Sequence, residues 1–193
     1  MNLLVDKLPK TIEIHGQEYQ INSDFRACLS IILAFEDEEL TDLEKQFVMI
    51  RNLYEDRPDD FQAAMDAGME FLNGGAHGVQ GSDGPRVYSF SKDANLIFAA
   101  FHQTHGIDLE AVEYLHWWKF MALFMDLGQN TTFCELVSLR KRVKTGKASK
   151  EEKAAARDLG DMFEIPEIDD RTLEEKEAER RFLEAIGGSN VTR

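Results

Sequence analysis

Glu113 and His116 stand three residues apart, as do His102 and His105, and on a helix each pair shares one face. A carboxylate and an imidazole so placed could ligate a metal, as in di-iron helical bundles. Such a site needs a second Glu-x-x-His and two further inward glutamates, and the sequence offers no second copy. Hydrogen-bonded packing is the better reading of His116. His102 and His105 fall near the end of a predicted helix, where protonated imidazoles suit the carboxyl-terminal dipole. Phosphate cradling fares worse. Gly146-Lys147 is followed by Ala148 and has Lys141 where a P-loop needs glycine. The glycine-rich stretch 74–86 leads into an extended piece and not into a helix amino terminus. There is no G-x-S-x-G elbow and no cysteine-nucleophile signature. With 36 acidic side chains, carboxylate pairs are too numerous to single one out. The residues point away from an enzyme, and no catalytic residue, metal or cofactor is expected.

The chain has 193 residues, 43% hydrophobic and 30% charged, which suits one domain with a single core. The net charge of −14 and a pI near 4.8 argue against a nucleic-acid partner, which requires neutralised phosphates. No stretch reaches the ~18 uncharged apolar residues of a membrane span. Asp6 interrupts the opening before any signal-peptide core can form, so the expected compartment is the cytoplasm. Cys28 and Cys134 lie in apolar surroundings and read as buried thiols. Charge is uneven: Leu136 to Arg157 holds eight Lys or Arg against Glu151 and Glu152, and Asp158 to Arg193 holds eleven acids against five bases. Either the charges compensate on a solvated helical hairpin, or they form a docking surface for an oppositely charged protein.

The elements that must carry these residues are mostly helical. Thr11–Ile14 and 17–21 alternate polar with β-favouring residues around His15-Gly16, which predicts a hairpin. Asn22-Ser-Asp24 can then cap a helix from Phe25 to Phe35. Capping boxes at Thr41/Glu44, Thr132/Glu135, Ser149/Glu152 and Thr172/Glu175 predict helices ending near Tyr54, Val143, Phe163 and Ile186. Pro58 suits the first turn of another, ending at Asn73. Asp93 opens a helix closed by Gly106, and Asp108 one closed by Gly128. Gly74 to Arg86 reads as a flexible loop. Val87–Phe90 reads as a short extended piece that could pair with the hairpin. From Ala111 to Leu127 only Glu113, His116, Lys119 and Asp126 are polar, so this helix should be central and surrounded. The alternative leaves part of Trp117 and Trp118 bare for a partner. The expected fold is mainly α, a helical bundle around this aromatic-rich helix with a small N-terminal β-hairpin. Residues 1–165 form one domain, and 166–193 an acidic tail with one exposed helix.

Three stretches carry a family resemblance: Glu18-Tyr-Gln-Ile-Asn-Ser-Asp-Phe-Arg26; Tyr88-Ser-Phe-Ser-Lys-Asp-Ala-Asn-Leu-Ile-Phe-Ala-Ala-Phe101 with Gly106-Ile-Asp-Leu109; and Tyr114-Leu-His-Trp-Trp-Lys-Phe-Met-Ala-Leu-Phe124. In order and content they resemble the bacteriophage gene-product-fifteen family of long-tailed phages and prophages, over most of residues 8 to 145. The resemblance implies a tail assembly chaperone in the host bacterial cytoplasm that coats the helical tape-measure protein until tail-tube subunits polymerise around it. The major tail-tube protein and a second copy of the chain are further candidate partners. The alternative is a structural virion tail or connector component, with a metal-dependent enzyme behind both. Where relatives carry a lysine-rich loop this chain has Gly74 to Gly84, and the stretch after Pro166 falls outside the resemblance. Candidate contact residues are the basic turn Arg140, Lys141, Arg142 and Lys144, the acidic run with Glu36, Glu38 and Glu39, and any exposed part of Trp117 and Trp118.

Overall fold

His15 and Gly16 both take positive φ, 51° and 81°, as a two-residue turn between twisted strands demands. The turn joins β1 (Thr11–Ile14) to β2 (Gln17–Gln20), antiparallel, with Ile12 opposite Tyr19. Ile12, Ile14 and Tyr19 are buried, while Glu13 and Glu18 face water, so one side of the hairpin covers the core. The computed structural model describes residues 4–74 and 84–165. Among these, seven α-helices follow the hairpin: α1 (Phe25–Glu36), α2 (Asp42–Leu53), α3 (Phe61–Leu72), α4 (Ala94–His105), α5 (Trp117–Met125), α6 (Thr132–Lys144) and α7 (Lys150–Leu159). The fold is mainly α, as expected. Most of the Gly-rich stretch, the Thr172/Glu175 box and the acidic tail lie outside the described residues.

Local chemistry explains most helix starts. The Asp24 carboxylate accepts the Arg26 N–H at 3.0 Å, and the Thr41/Glu44 and Ser149/Glu152 boxes close in both directions. Asp60, not the residue before Pro58, caps α3 by accepting from Ala63, which leaves the proline ahead of the helix. The α6 start moves by one residue from the expected Thr132. Thr131 is the cap: its hydroxyl donates to Gly128 O at 2.8 Å and accepts the Cys134 N–H at 3.2 Å. Asp93 precedes α4 without capping it, because its carboxylate is engaged elsewhere. Gly106 ends that helix in the left-handed conformation at φ 66°.

The largest departure concerns the expected central helix. Residues 108 to 116 are not helical, and α5 is nine residues long. The backbone groups that a helix would satisfy internally find tertiary partners here. One Arg26 Nη donates to Leu109 O at 2.8 Å and Val112 O at 2.6 Å. Asp24 accepts the Leu115 N–H, Phe25 N–H donates to Leu115 O, and Trp117 N–H donates to Ser23 O, so residues 115–117 pair as a short ladder with 23–25. Val87–Phe90 likewise does not join the hairpin. Tyr88 and Phe90 pack their rings on Phe124, at 5.2 and 5.1 Å.

The short helix is nevertheless the aromatic centre. The fully buried Phe120 ring stacks with Phe25, Phe101 and Trp117 at centroid distances of 5.0, 4.9 and 5.6 Å. Trp117 and Trp118 are core residues, 1% and 8% exposed, so no bare indole awaits a partner. Their indole N–H groups donate to Leu72 O and Phe71 O at 2.8 and 2.7 Å; Phe71 O also accepts the Gly74 N–H at 3.0 Å.

His116 caps α5. Its Nδ1 accepts the Trp118 N–H at 3.1 Å and its Nε2 lies 2.9 Å from Pro9 O, a pattern that requires a neutral imidazole donating through Nε2. Burial pushes its pKa below the ordinary 6.5, opposed by the bond to Pro9 and assisted by Lys119 and Lys10. The unfolded chain therefore takes up a proton here as pH falls through about 6.5, while the folded chain resists. Stability from this residue is complete above that pH and declines toward acid. Urea midpoints should fall between about pH 7 and pH 5 in the wild type, and His116→Asn, which can still accept the Trp118 N–H, should flatten that slope. An unchanged slope would remove His116 as its source.

Candidate partner-binding surface

The basic and acidic residues singled out from the sequence divide into those that hold the fold and those that face water. Arg140 belongs to the first group, being fully buried. Its guanidinium forms a bidentate pair with the buried Asp93 carboxylate, at 2.7 and 3.0 Å. It also donates to Phe163 O at 2.8 Å, Met162 O at 2.6 Å and Val87 O at 3.3 Å. A charge so enclosed is tolerable only when fully paired. Arg140 thus joins α6 to the start of α4 and to the segments on either side, and it is not a surface contact.

Glu36 is similarly occupied. It accepts the Ser89 hydroxyl at 2.7 Å and the backbone N–H groups of Phe90 and Ser91 at 3.2 Å, and pairs with Arg86 at 2.7 Å. Together with Asp93, which accepts the Ser89 N–H, it fixes the 86–93 segment over the aromatic core. Arg142 is half-exposed, spans α6 to α7 through Glu152 at 2.7 Å and donates within α6 to the Ser138 hydroxyl at 2.8 Å. Lys141, Lys144, Glu38 and Glu39 are exposed. The nine candidates therefore do not form one patch: five are internal or structural, and four remain on the surface.

The histidine pairs likewise come apart. Glu113 lies in the non-helical stretch, exposed, while both ring nitrogens of His116 are engaged. His105 Nε2 lies 2.9 Å from Leu123 O. No group of three or more metal-ligating side chains occurs among the described residues. Cys28 is sealed in the core, where burial pushes its thiol up to about 12, so it carries no thiolate at neutral pH.

A feature not anticipated from the sequence lies between α1 and α4. An apolar groove of about 280 Å³ runs between these helices over Leu29, Leu33, Ile97 and Phe98, with Phe120 at its base and Arg26 and Glu110 at one side. Leu33 and Phe98 are 40% and 42% exposed, large apolar side chains left in water on the two helices that line the groove. Leu33 also borders a more polar hollow of about 480 Å³ whose rim carries Asp37, Glu38 and Glu39. The groove thus opens at one end onto an acidic corner. The signal was present in α1, where Leu29, Ile31, Ile32, Leu33 and Phe35 supply more apolar bulk than one buried face uses.

The model of the family described as Bacteriophage Gp15 protein matches residues 4–165. No curated protein and no solved structure matches the chain. The match spans the three stretches that meet in the core. Ser23–Arg26 pairs with Tyr114–Trp117, and Phe90 packs on Phe120 and Phe124.

Because Arg140 is enclosed, its role and that of Lys141 should separate cleanly by mutation. Arg140→Ala strands a buried carboxylate and is expected to cost about 3–5 kcal/mol in urea unfolding. Lys141→Ala, on the surface, should change stability by less than about 0.5 kcal/mol. Equal effects would contradict this division.

Proposed function

The chain belongs to the bacteriophage Gp15 protein family, and on that premise we propose that it is a non-enzymatic tail assembly chaperone for the tape-measure protein. The observation that carries this reading is the α1/α4 groove, in which Leu33 and Phe98 stand half in water, with Leu33 also bordering the acidic corner at Asp37, Glu38 and Glu39. A tape-measure chain is a long series of amphipathic helices that expose apolar stripes before assembly. One such helix fits a groove between two twelve-residue helices, each about 18 Å long, with anchors at i, i+3 and i+4. Basic residues flanking its stripe would meet Asp37, Glu38 and Glu39.

Magnitude favours a reversible contact. Full burial of a Leu or Phe side chain contributes about 1.5–3 kcal/mol, and two half-exposed ones give less than the cost of associating two molecules. One copy alone binds weakly. Several copies along one client gain by avidity and can still be displaced singly when tail-tube subunits arrive. The acidic corner would set encounter rate and register more than residence time.

Leu33→Glu combined with Phe98→Glu should abolish most co-purification with the tape-measure protein while leaving far-UV circular dichroism unchanged, since both side chains already face water. Undiminished recovery would remove the groove as the client site. Mass spectrometry of finished particles should find the chain absent; many copies per particle would instead favour a virion tail or connector subunit.

A further inference from the structure

One face of α2 has no partner among the described residues. Leu43, Phe47 and Arg51 recur every four residues and therefore share that face, and all three are exposed, the two apolar side chains by 59% and 50%. At its Arg51 end the row borders a hollow of about 280 Å³ lined by Phe47, Arg51, Tyr54, Glu55, Arg57 and Phe61, with the Phe47 and Phe61 rings 5.9 Å apart. Neither Arg51 nor Arg57 makes an ion pair among the described residues. The other end of the face carries an acid. Glu44 is exposed and lies three residues before Phe47. The Thr41 N–H and hydroxyl both donate to its Oε2 at 2.8 Å, which fixes the carboxylate and leaves Oε1 as an open acceptor.

We propose that this face of α2 is a self-association surface, on which a second copy of the chain packs its own α2 antiparallel about a two-fold axis at Phe47. The register follows from the spacing. Leu43 and Arg51 each lie four residues from Phe47, about 6 Å along the helix, so the axis sets Phe47 on Phe47 and brings Leu43 of each copy over the hollow beside Arg51 of the other. Glu44 then falls within about 1.5 Å of the level of Arg51 across the axis, where Oε1 can accept from the guanidinium. A parallel pair would set Arg51 against Arg51 and Glu44 against Glu44, so charge selects the antiparallel arrangement. Each contact is made twice and occupies the face on both copies, which closes the assembly at two. Area sets its strength. A strip about 18 Å long and 10–12 Å across is smaller than the roughly 800 Å² per partner of a stable interface, so the pair forms and dissociates with concentration. The net charge of −14 on each copy opposes approach at low salt, but at about 0.15 M it is screened beyond about 8 Å while the contacts across the axis persist. None of the residues lining the α1/α4 groove belongs to this face, so the pairing stands whatever client the groove takes, and each dimer presents two grooves.

Sedimentation velocity of the full chain, from about 10 μM to about 1 mM in 0.15 M salt, tests the pairing. The weight-average mass should climb from that of one 22.0 kDa chain toward two and stop there. Leu43→Glu combined with Phe47→Glu should hold the protein monomeric throughout, with unchanged far-UV circular dichroism because both side chains already face water. Arg51→Glu should weaken the dimer at least about tenfold, and Glu44→Lys added to that chain should recover most of the loss. That exchange also opens the capping box, so a second measurement leaves the box intact: oxidation at about 200 μM should link two copies of a Phe47→Cys variant at least about tenfold faster than two copies of Met125→Cys, an exposed position on α5. A single-chain mass at 1 mM, growth past two copies, a dimer indifferent to the Glu substitutions at 43, 47 or 51, or equal linking rates would overturn the proposal. A monomer in which the Phe47→Cys thiol resists a soluble maleimide would overturn it in favour of another segment of the same chain.

Discussion

The carboxyl end of α3 and the start of α5 complete each other. Two α3 carbonyls with no partner inside their own helix receive the indole N–H groups of Trp117 and Trp118, while His116 supplies the missing acceptor at the first turn of α5. Leu72 O gains its partner from Trp117, Phe71 O accepts both the Gly74 N–H and the Trp118 indole, and the Trp118 N–H is satisfied by His116, inside an apolar core where an unpaired group costs about 1–3 kcal/mol. The same α5 start carries Trp117 into the aromatic stack around Phe120. Residues 23–26 then pair with 115–117, so the stretch before α5 needs no helix of its own.

A second set of constraints is ionic. Arg140 with Asp93, and Glu36 with Arg86 and the N–H groups of residues 90 and 91, grip the 86–93 segment from opposite sides. These charges serve the interior. A charged residue in this chain is therefore a poor guide to surface function until its partners are known: Arg140 and Lys141 are neighbours in sequence and have opposite fates.

What the core leaves outside is an apolar groove with an acidic end and, on α6, the exposed Lys141 and Lys144. The two surfaces have different chemistry, apolar in one case and basic in the other. On the proposed reading, the groove works through shallow, screened contacts. Such contacts form quickly and yield to competition.

The amino-acid sequence by itself determined whatever depends on nearby residues. The hairpin turn at His15-Gly16 is local because positive φ is a property of those two positions, and the closed boxes at Thr41 and Ser149 are local because cap and glutamate lie three residues apart. The aromatic character of 117–124 likewise foretold the core. Three outcomes belonged to the tertiary structure: the loss of helix from 108 to 116, the burial of Arg140, and the exposure of Leu33 and Phe98. Each turns on a part of the chain distant in sequence, Arg26 for the first, Asp93 for the second, and for the third the gap left between α1 and α4. Periodicity records which residues are apolar or charged. It does not record which distant backbone group will satisfy them, and in a core closed by long-range hydrogen bonds that choice decides what is left for the surface.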